Sequence, residues 1–94
     1  MLFVNFGEKE QHHLLPLIYK LRESGIKTEI YPETAKIKKQ FEYADKKKIH
    51  LVAIYGSEEM QTNQVKIKNM ISGEQDNYNL DNLVENLLQE INKL

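Results

Sequence analysis

Three groups of residues carry side chains with chemistry to offer. Glu58 and Glu59 are adjacent carboxylates in a polar stretch directly after the apolar run Leu51–Tyr55 and its closing Gly56. Lys66 and Lys68 alternate with Val65 and Ile67, which puts both ammonium groups on one face of a strand. Lys36, Lys38, Lys39, Lys46, Lys47 and Lys48 crowd one short segment. A carboxylate accepts two hydrogen bonds from the Watson–Crick edge of guanine, and RNA is read by sequence where its bases are unpaired and splayed. Such an acid is tolerated among phosphates only where lysines surround it, and Lys66 and Lys68 on the next strand are positioned to supply that support. Each group also has a plainer account. A run of lysines is ordinarily a solvated helical face, and composition alone favours that reading over a phosphate-contacting surface. Two acids after a strand are equally at home in the first turn of a short helix, where the dipole favours them.

The remaining reactive side chains form no constellation. His12 and His13 are adjacent, and neighbouring helical residues point about 100° apart, so the pair cannot clamp one ion as an i, i+4 pair would. His50 stands alone before the apolar run. No serine lies in a nucleophile elbow, and there is no glycine-rich phosphate loop. The chain by itself is therefore expected to be non-catalytic, with no metal site.

Composition narrows the class. The sequence has 94 residues, 40% of them hydrophobic and 29% charged, which fits one small domain spanning 1–94. A net charge of −1 means that any nucleic-acid role must come from a local patch. There are no cysteines, which excludes disulfides and thiolate metal sites. No stretch approaches the roughly 18 apolar residues of a membrane span, and the amino terminus lacks the pattern of a signal peptide. The expectation is a soluble, cytoplasmic domain with no membrane partner.

The elements that must position these residues follow from periodicity. Leu2–Phe6, rich in β formers and closed by Gly7, reads as a strand. A strand starting so close to Met1 points to a domain cut from a longer chain. Lys9–Ser24 carries Leu14, Leu17, Ile18 and Leu21 at helical spacing, with Gly25 as its C′ residue; Pro16 places the well-formed start near His13, or kinks the helix there. Ile26–Tyr31 alternates and stops at Pro32. Thr34 is placed to cap a helix over Ala35–Lys47 whose apolar face is Ile37, Phe41 and Ala44. Leu51–Tyr55 is apolar on both faces, as in a strand covered on both sides. Asn63 and Gln64 turn the chain into Val65–Ile71, and Ser72-Gly73 closes a hairpin with Glu74–Tyr78. Asn79 caps a last helix with the stripe Leu80, Leu83, Val84, Leu87, Leu88, Ile91 and Leu94. The order βαβαββα implies an α/β domain of three layers, with a mixed five-stranded sheet and three main helices. Open sheets of this class hold ligands just outside the carboxyl ends of their parallel strands, which is where Glu58 and Glu59 fall.

Several of these segments resemble one family. Lys38-Lys39-Gln40-Phe41 followed by Tyr43-Ala44-Asp45-Lys46-Lys47 is similar to the KKQF-x-YADK helix of the carboxy-terminal domains of histidyl-tRNA synthetases. The likeness continues through Val52–Gly56 with Glu58-Glu59. It then runs through Val65-x-Ile67-Lys68-Asn69-Met70 and Ser72-Gly73-Glu74-Gln75, which resemble the V-x-L-K-[DN]-[LM]-x-[ST]-G-E-Q strand and hairpin. Each motif is short; four in the same order and spacing, over Lys38–Gln75, make the resemblance specific. It implies the anticodon-binding-domain fold of class IIa synthetases, shared with the threonyl, prolyl and glycyl enzymes. It also implies recognition of the histidine tRNA through its GUG anticodon. By motif position, the resemblance assigns Glu59 and Lys68 as base readers, Gln40 as a further reader, Glu58 as a substitute or support for Glu59, and Lys38 and Lys39 as phosphate contacts. ATP, Mg²⁺ and histidine belong to the catalytic domain of the parent enzyme, a homodimer whose signature motifs are absent here.

Two positions depart from the family pattern, which commonly has glycine where this chain has Lys48 and Asn63. Lys48 in a left-handed helix terminus costs about 1 kcal/mol, unless the terminus is built differently. A second reading keeps the same fold in a regulatory protein, as an interaction module that no longer reads an anticodon. A free-standing signalling domain of the doubly wound type is disfavoured, because the first strand ends in Asn5-Phe6-Gly7-Glu8 with a single acid.

Overall fold

Leu2, Phe3 and Val4 are fully buried, as are Val52 and Ala53, because the strands that carry them are covered on both faces. The computed structural model describes residues 1–92, with side chains described through residue 89. The elements are β1 (Leu2–Phe3), α1 (Glu8–Glu23), β2 (Glu29–Ile30), α2 (Ile37–Lys46), β3 (Leu51–Ile54), α3 (Ser57–Thr62), β4 (Gln64–Asn69), β5 (Gln75–Asn79) and α4 (Leu83–Asn92). A 3₁₀ turn, Leu80–Asn82, leads into α4. The five strands form one mixed sheet in the order β2-β1-β3-β4-β5. β1 pairs in parallel with β2 and β3, whereas β4 is antiparallel to β3 and to β5.

The core divides at the sheet. On one side Leu14, Ile18 and Leu21 of α1 and Leu83 and Leu87 of α4 pack with Phe3, Leu51, Ala53, Val65 and Ile67. On the other, Ala44 and Phe41 of α2 pack with Leu2, Val4, Tyr31 and Val52. This is the expected three-layer α/β arrangement. The α2 face of β4 and β5 instead carries Lys66 and Lys68, opposite Asn77 and Gln75, and both amides are exposed.

Helices α1 and α2 end in the same way. Ile26 N–H bonds to Leu21 O and Gly25 N–H to Arg22 O, the paired bonds of a Schellman motif, with Gly25 at φ +88°. At the end of α2, Ile49 N–H bonds to Ala44 O and Lys48 N–H to Asp45 O, with Lys48 at φ +56°. Lys48 thus occupies the left-handed position that glycine would fill without strain. Asn63, at φ +55°, ends α3 in the same backbone region, as its turn-forming side chain allows.

The polar stretch after β3 folds into α3, the short helix of the plainer account of Glu58 and Glu59, beside the three main helices α1, α2 and α4. Three details differ from the sequence reading. α1 runs unbroken from Glu8 through Pro16, which is exposed. Its ring replaces the N–H that would bond to the His12 carbonyl, and water reaches that face. Thr34 does not cap α2: the helix starts at Ile37 after Lys36, and the Ala35 carbonyl is taken by the Gln40 side chain. Asn79 accepts from Asp81 N–H and so caps the 3₁₀ turn that precedes the last helix. Ile91 and Leu94, the last two apolar positions of the expected stripe, lie outside the residues whose side chains are described.

Candidate functional site

Because β1, β2 and β3 are parallel, their carboxyl ends share one edge of the sheet, and α1, α2 and α3 all begin there. Gly56 ends the β3 segment and precedes α3. Glu59, the third residue of α3, turns back so that its Oε1 accepts the Gly56 N–H at 3.0 Å. This bond fixes the half-buried carboxylate against the strand end, while Glu58 beside it is exposed. A cleft of about 370 Å³ opens at this point, lined by Phe6, Glu10, Gly56, Ser57, Glu58 and Glu59. Phe6 is 39% exposed. It faces Gly56 across the cleft wall, and a Cβ at that glycine would stand 3.6 Å from the ring.

The lysines divide between this edge and the open face of the sheet. Lys66 stands opposite Ile54 and Lys68 opposite Val52. At about 3.3 Å per residue, Lys68 is set back from the level of Gly56 by about 13 Å and Lys66 by about 7 Å. The register therefore does not put Lys68 beside Glu59 at the strand end; Lys66 is the nearer of the two. Lys68 instead reaches toward α2, with its Nζ 4.9 Å from the centroid of the Phe41 ring. Lys38 and Lys39 are exposed on α2. Lys39 Nζ lies 3.6 Å from Glu33 Oε1 in an exposed ion pair, of a kind that contributes little to stability and leaves the cation available.

Gln40 requires a correction. The resemblance made it a base reader, but its side chain is fully buried. Its Oε1 accepts the Asn5 N–H at 2.7 Å. Its Nε2 donates to Asn5 O at 3.0 Å and to Ala35 O at 2.9 Å. With acceptor and donors all committed to backbone, it has nothing to present to a base.

Glu58 and Glu59 thus stand together with Lys66 one strand away, Lys68 lies against Phe41 of α2, and Lys38 and Lys39 occupy exposed positions of α2. Sequence reasoning missed Phe6 and Asn5. The signal for Asn5 was a lone polar residue inside an otherwise apolar strand. The signal for Phe6 was an aromatic at a strand's carboxyl end just before a glycine. His12, His13 and His50 are exposed. A larger cleft of about 730 Å³, bordered by Ile26, Thr28, Ile49 and Leu51, lies at the opposite edge and touches none of the candidate readers.

Comparison with known proteins adds an independent line. The family model described as an anticodon binding domain matches residues 3–90. The histidine–tRNA ligase of Porphyromonas gingivalis is 56% identical over 75 residues, which cover 80% of this chain and 16% of that protein. That of Cytophaga hutchinsonii is 44% identical over 88 residues, covering 94% of this chain and 19% of the ligase. The crystal structure of histidyl-tRNA synthetase from a Nostoc species superposes with a TM-score of 0.89 at 28% identity, over 96% of this chain and 22% of that one. The RNA binding domain of threonyl-tRNA synthetase from Cryptosporidium parvum shares the fold, with a TM-score of 0.82 at 16% identity. The chain thus spans about a fifth of the length of the ligases it matches.

Proposed function

Because the chain belongs to the anticodon-binding domain family, in the form carried by histidyl-tRNA synthetases, we propose that it binds the histidine tRNA and reads its GUG anticodon. In this reading it serves a parent histidine–tRNA ligase, a homodimer whose separate catalytic domain uses ATP and Mg²⁺. The observation that carries the proposal is the Glu59 carboxylate, fixed at the carboxyl end of β3 by the Gly56 N–H. One of its oxygens has a backbone partner, and the group borders a cleft large enough for an unstacked base. A guanine offers two N–H donors along its Watson–Crick edge, and a carboxylate is the matching acceptor. Glu58 extends the acceptor set. Lys66 and Lys68 offset the negative charge brought close to RNA, and Lys68 also faces the bases from the open side of the sheet. Lys38 and Lys39 hold phosphates, which position the strand without reading it.

The test is a binding titration with anticodon stem-loops. The wild-type chain should prefer a GUG loop over a scrambled one, with an affinity that falls as salt rises. Glu59→Ala should remove that preference and leave the scrambled loop's affinity unchanged. Equal affinity of the wild-type chain for both loops would overturn anticodon reading and favour an interaction module on the same fold.

A further inference from the structure

The buried amide of Gln40 sits between the two halves of the proposed RNA surface. Two of its three hydrogen bonds treat the backbone of Asn5 as a neighbouring strand would, since they engage both the N–H and the carbonyl of the same residue. The third bond, to Ala35 O, secures the segment entering α2. The Asn5 side chain carries the linkage further. Its Nδ2 donates to Tyr31 O at the end of β2, and its Oδ1 accepts the Gly7 N–H at the start of α1, at 2.9 and 3.0 Å. Two amides therefore join β1, β2, α1 and α2 at the edge where the parallel strands end. Phe6 follows Asn5 directly and lines the same cleft as Gly56, its ring standing where a Cβ on Gly56 would just touch it; the Gly56 N–H holds Glu59. The path Gln40–Asn5–Phe6–Gly56–Glu59 leads from the lysine-bearing helix to the acid.

We infer that Gln40 is a positioning residue: it sets the phosphate-contacting face of α2 in fixed register with the Glu59 loop, so that a strand held by Lys38 and Lys39 delivers its bases to the cleft. The inference rests on the anticodon reading. It goes beyond that reading by assigning anticodon discrimination to a side chain that cannot touch RNA. An apolar residue of similar size at position 40 would fill the same space but leave Asn5 free to shift, and with it the Phe6 ring beside Gly56.

The test compares Gln40→Met and Gln40→Glu with the wild-type 94-residue chain. It follows the backbone amide resonance of Gly56 and the affinity ratio between GUG and scrambled stem-loops. Both variants keep the volume and remove the donors. The expected result, in whichever variant stays folded, is a displaced Gly56 resonance and a ratio reduced about tenfold. The salt dependence of scrambled-loop binding should stay unchanged, because the lysines remain. A lower melting temperature with the Gly56 resonance and the ratio both at wild-type values would make Gln40 merely structural and overturn the inference. Failure of both variants to fold would overturn it equally. If the wild-type chain does not discriminate GUG at all, the anticodon reading falls, and the Gly56 resonance alone decides whether α2 and the loop are coupled.

Discussion

The ammonium of Lys68 lies 4.9 Å from the centroid of the Phe41 ring, joining β4 to α2 across the α2 face of the sheet. Phe41 is only partly buried, so this contact holds the helix over a part of the sheet that has little apolar packing of its own. A cation over an aromatic face contributes about 0.5–1 kcal/mol where it is solvent-accessible. A double-mutant cycle with Phe41→Leu and Lys68→Met, followed by urea unfolding, should give a coupling energy of that size. Additive effects would show that the contact contributes nothing.

Lys48 carries a measurable strain. It takes the C′ position of α2 at φ +56°, whereas α1 solves the same problem with Gly25. The left-handed conformation costs a side-chain-bearing residue about 1–2 kcal/mol, partly offset by the greater entropy that glycine gives the unfolded chain. Lys48→Gly should therefore raise stability by about 1 kcal/mol in denaturant titrations. A loss of stability would mean that the Lys48 side chain makes compensating contacts.

Pro16 is the other local misfit. It stands in the second half of α1, exposed, where its ring removes a backbone donor. Pro16→Ala should stabilise the domain by up to about 3 kcal/mol, the difference between the two residues in a helix interior. The gain will be smaller to the extent that proline restricts the unfolded chain. Thermal unfolding of the variant checks this; an unchanged midpoint would show that α1 has already adapted to the proline.

The parts of the fold that follow from burial were legible in the sequence. Leu2–Val4 and Leu51–Ala53 are unbroken apolar runs because both faces are covered, and Leu14, Ile18 and Leu21 repeat at helical spacing because one face of α1 is covered. Gln40 was not legible. A glutamine between lysines and a phenylalanine reads as solvent-facing, and only the backbone of Asn5, 35 residues away in sequence, explains why it points inward. The relation of Glu59 to the two lysines was hidden for another reason. Alternation along Val65–Lys68 fixes which face the lysines share, but the register of β4 on β3 depends on the turn through α3. The sequence allowed a short helix there but did not reveal its length of six residues. The antiparallel pairing of β4 on β3 makes Lys66 nearer the acid, and the register sets its distance from the strand end.

That register yields the sharpest prediction for binding. Lys66 pairs with Ile54, two residues before Gly56, while Lys68 pairs with Val52 and is drawn toward Phe41. If Glu59 grips a guanine, the ammonium that offsets its charge there should be that of Lys66. In GUG stem-loop titrations, Glu59→Ala and Lys66→Ala should be non-additive, with a coupling of about 1 kcal/mol or more, as groups sharing one bound base require. Glu59→Ala and Lys68→Ala should be nearly additive. If Lys68 also meets a phosphate of the single-stranded loop, its removal should lower the salt dependence of binding by about 0.7 in logarithmic slope. Strong coupling of Glu59 to Lys68, with none to Lys66, would show that the RNA crosses the open sheet face and bridges the 13 Å or so between the strand end and Lys68.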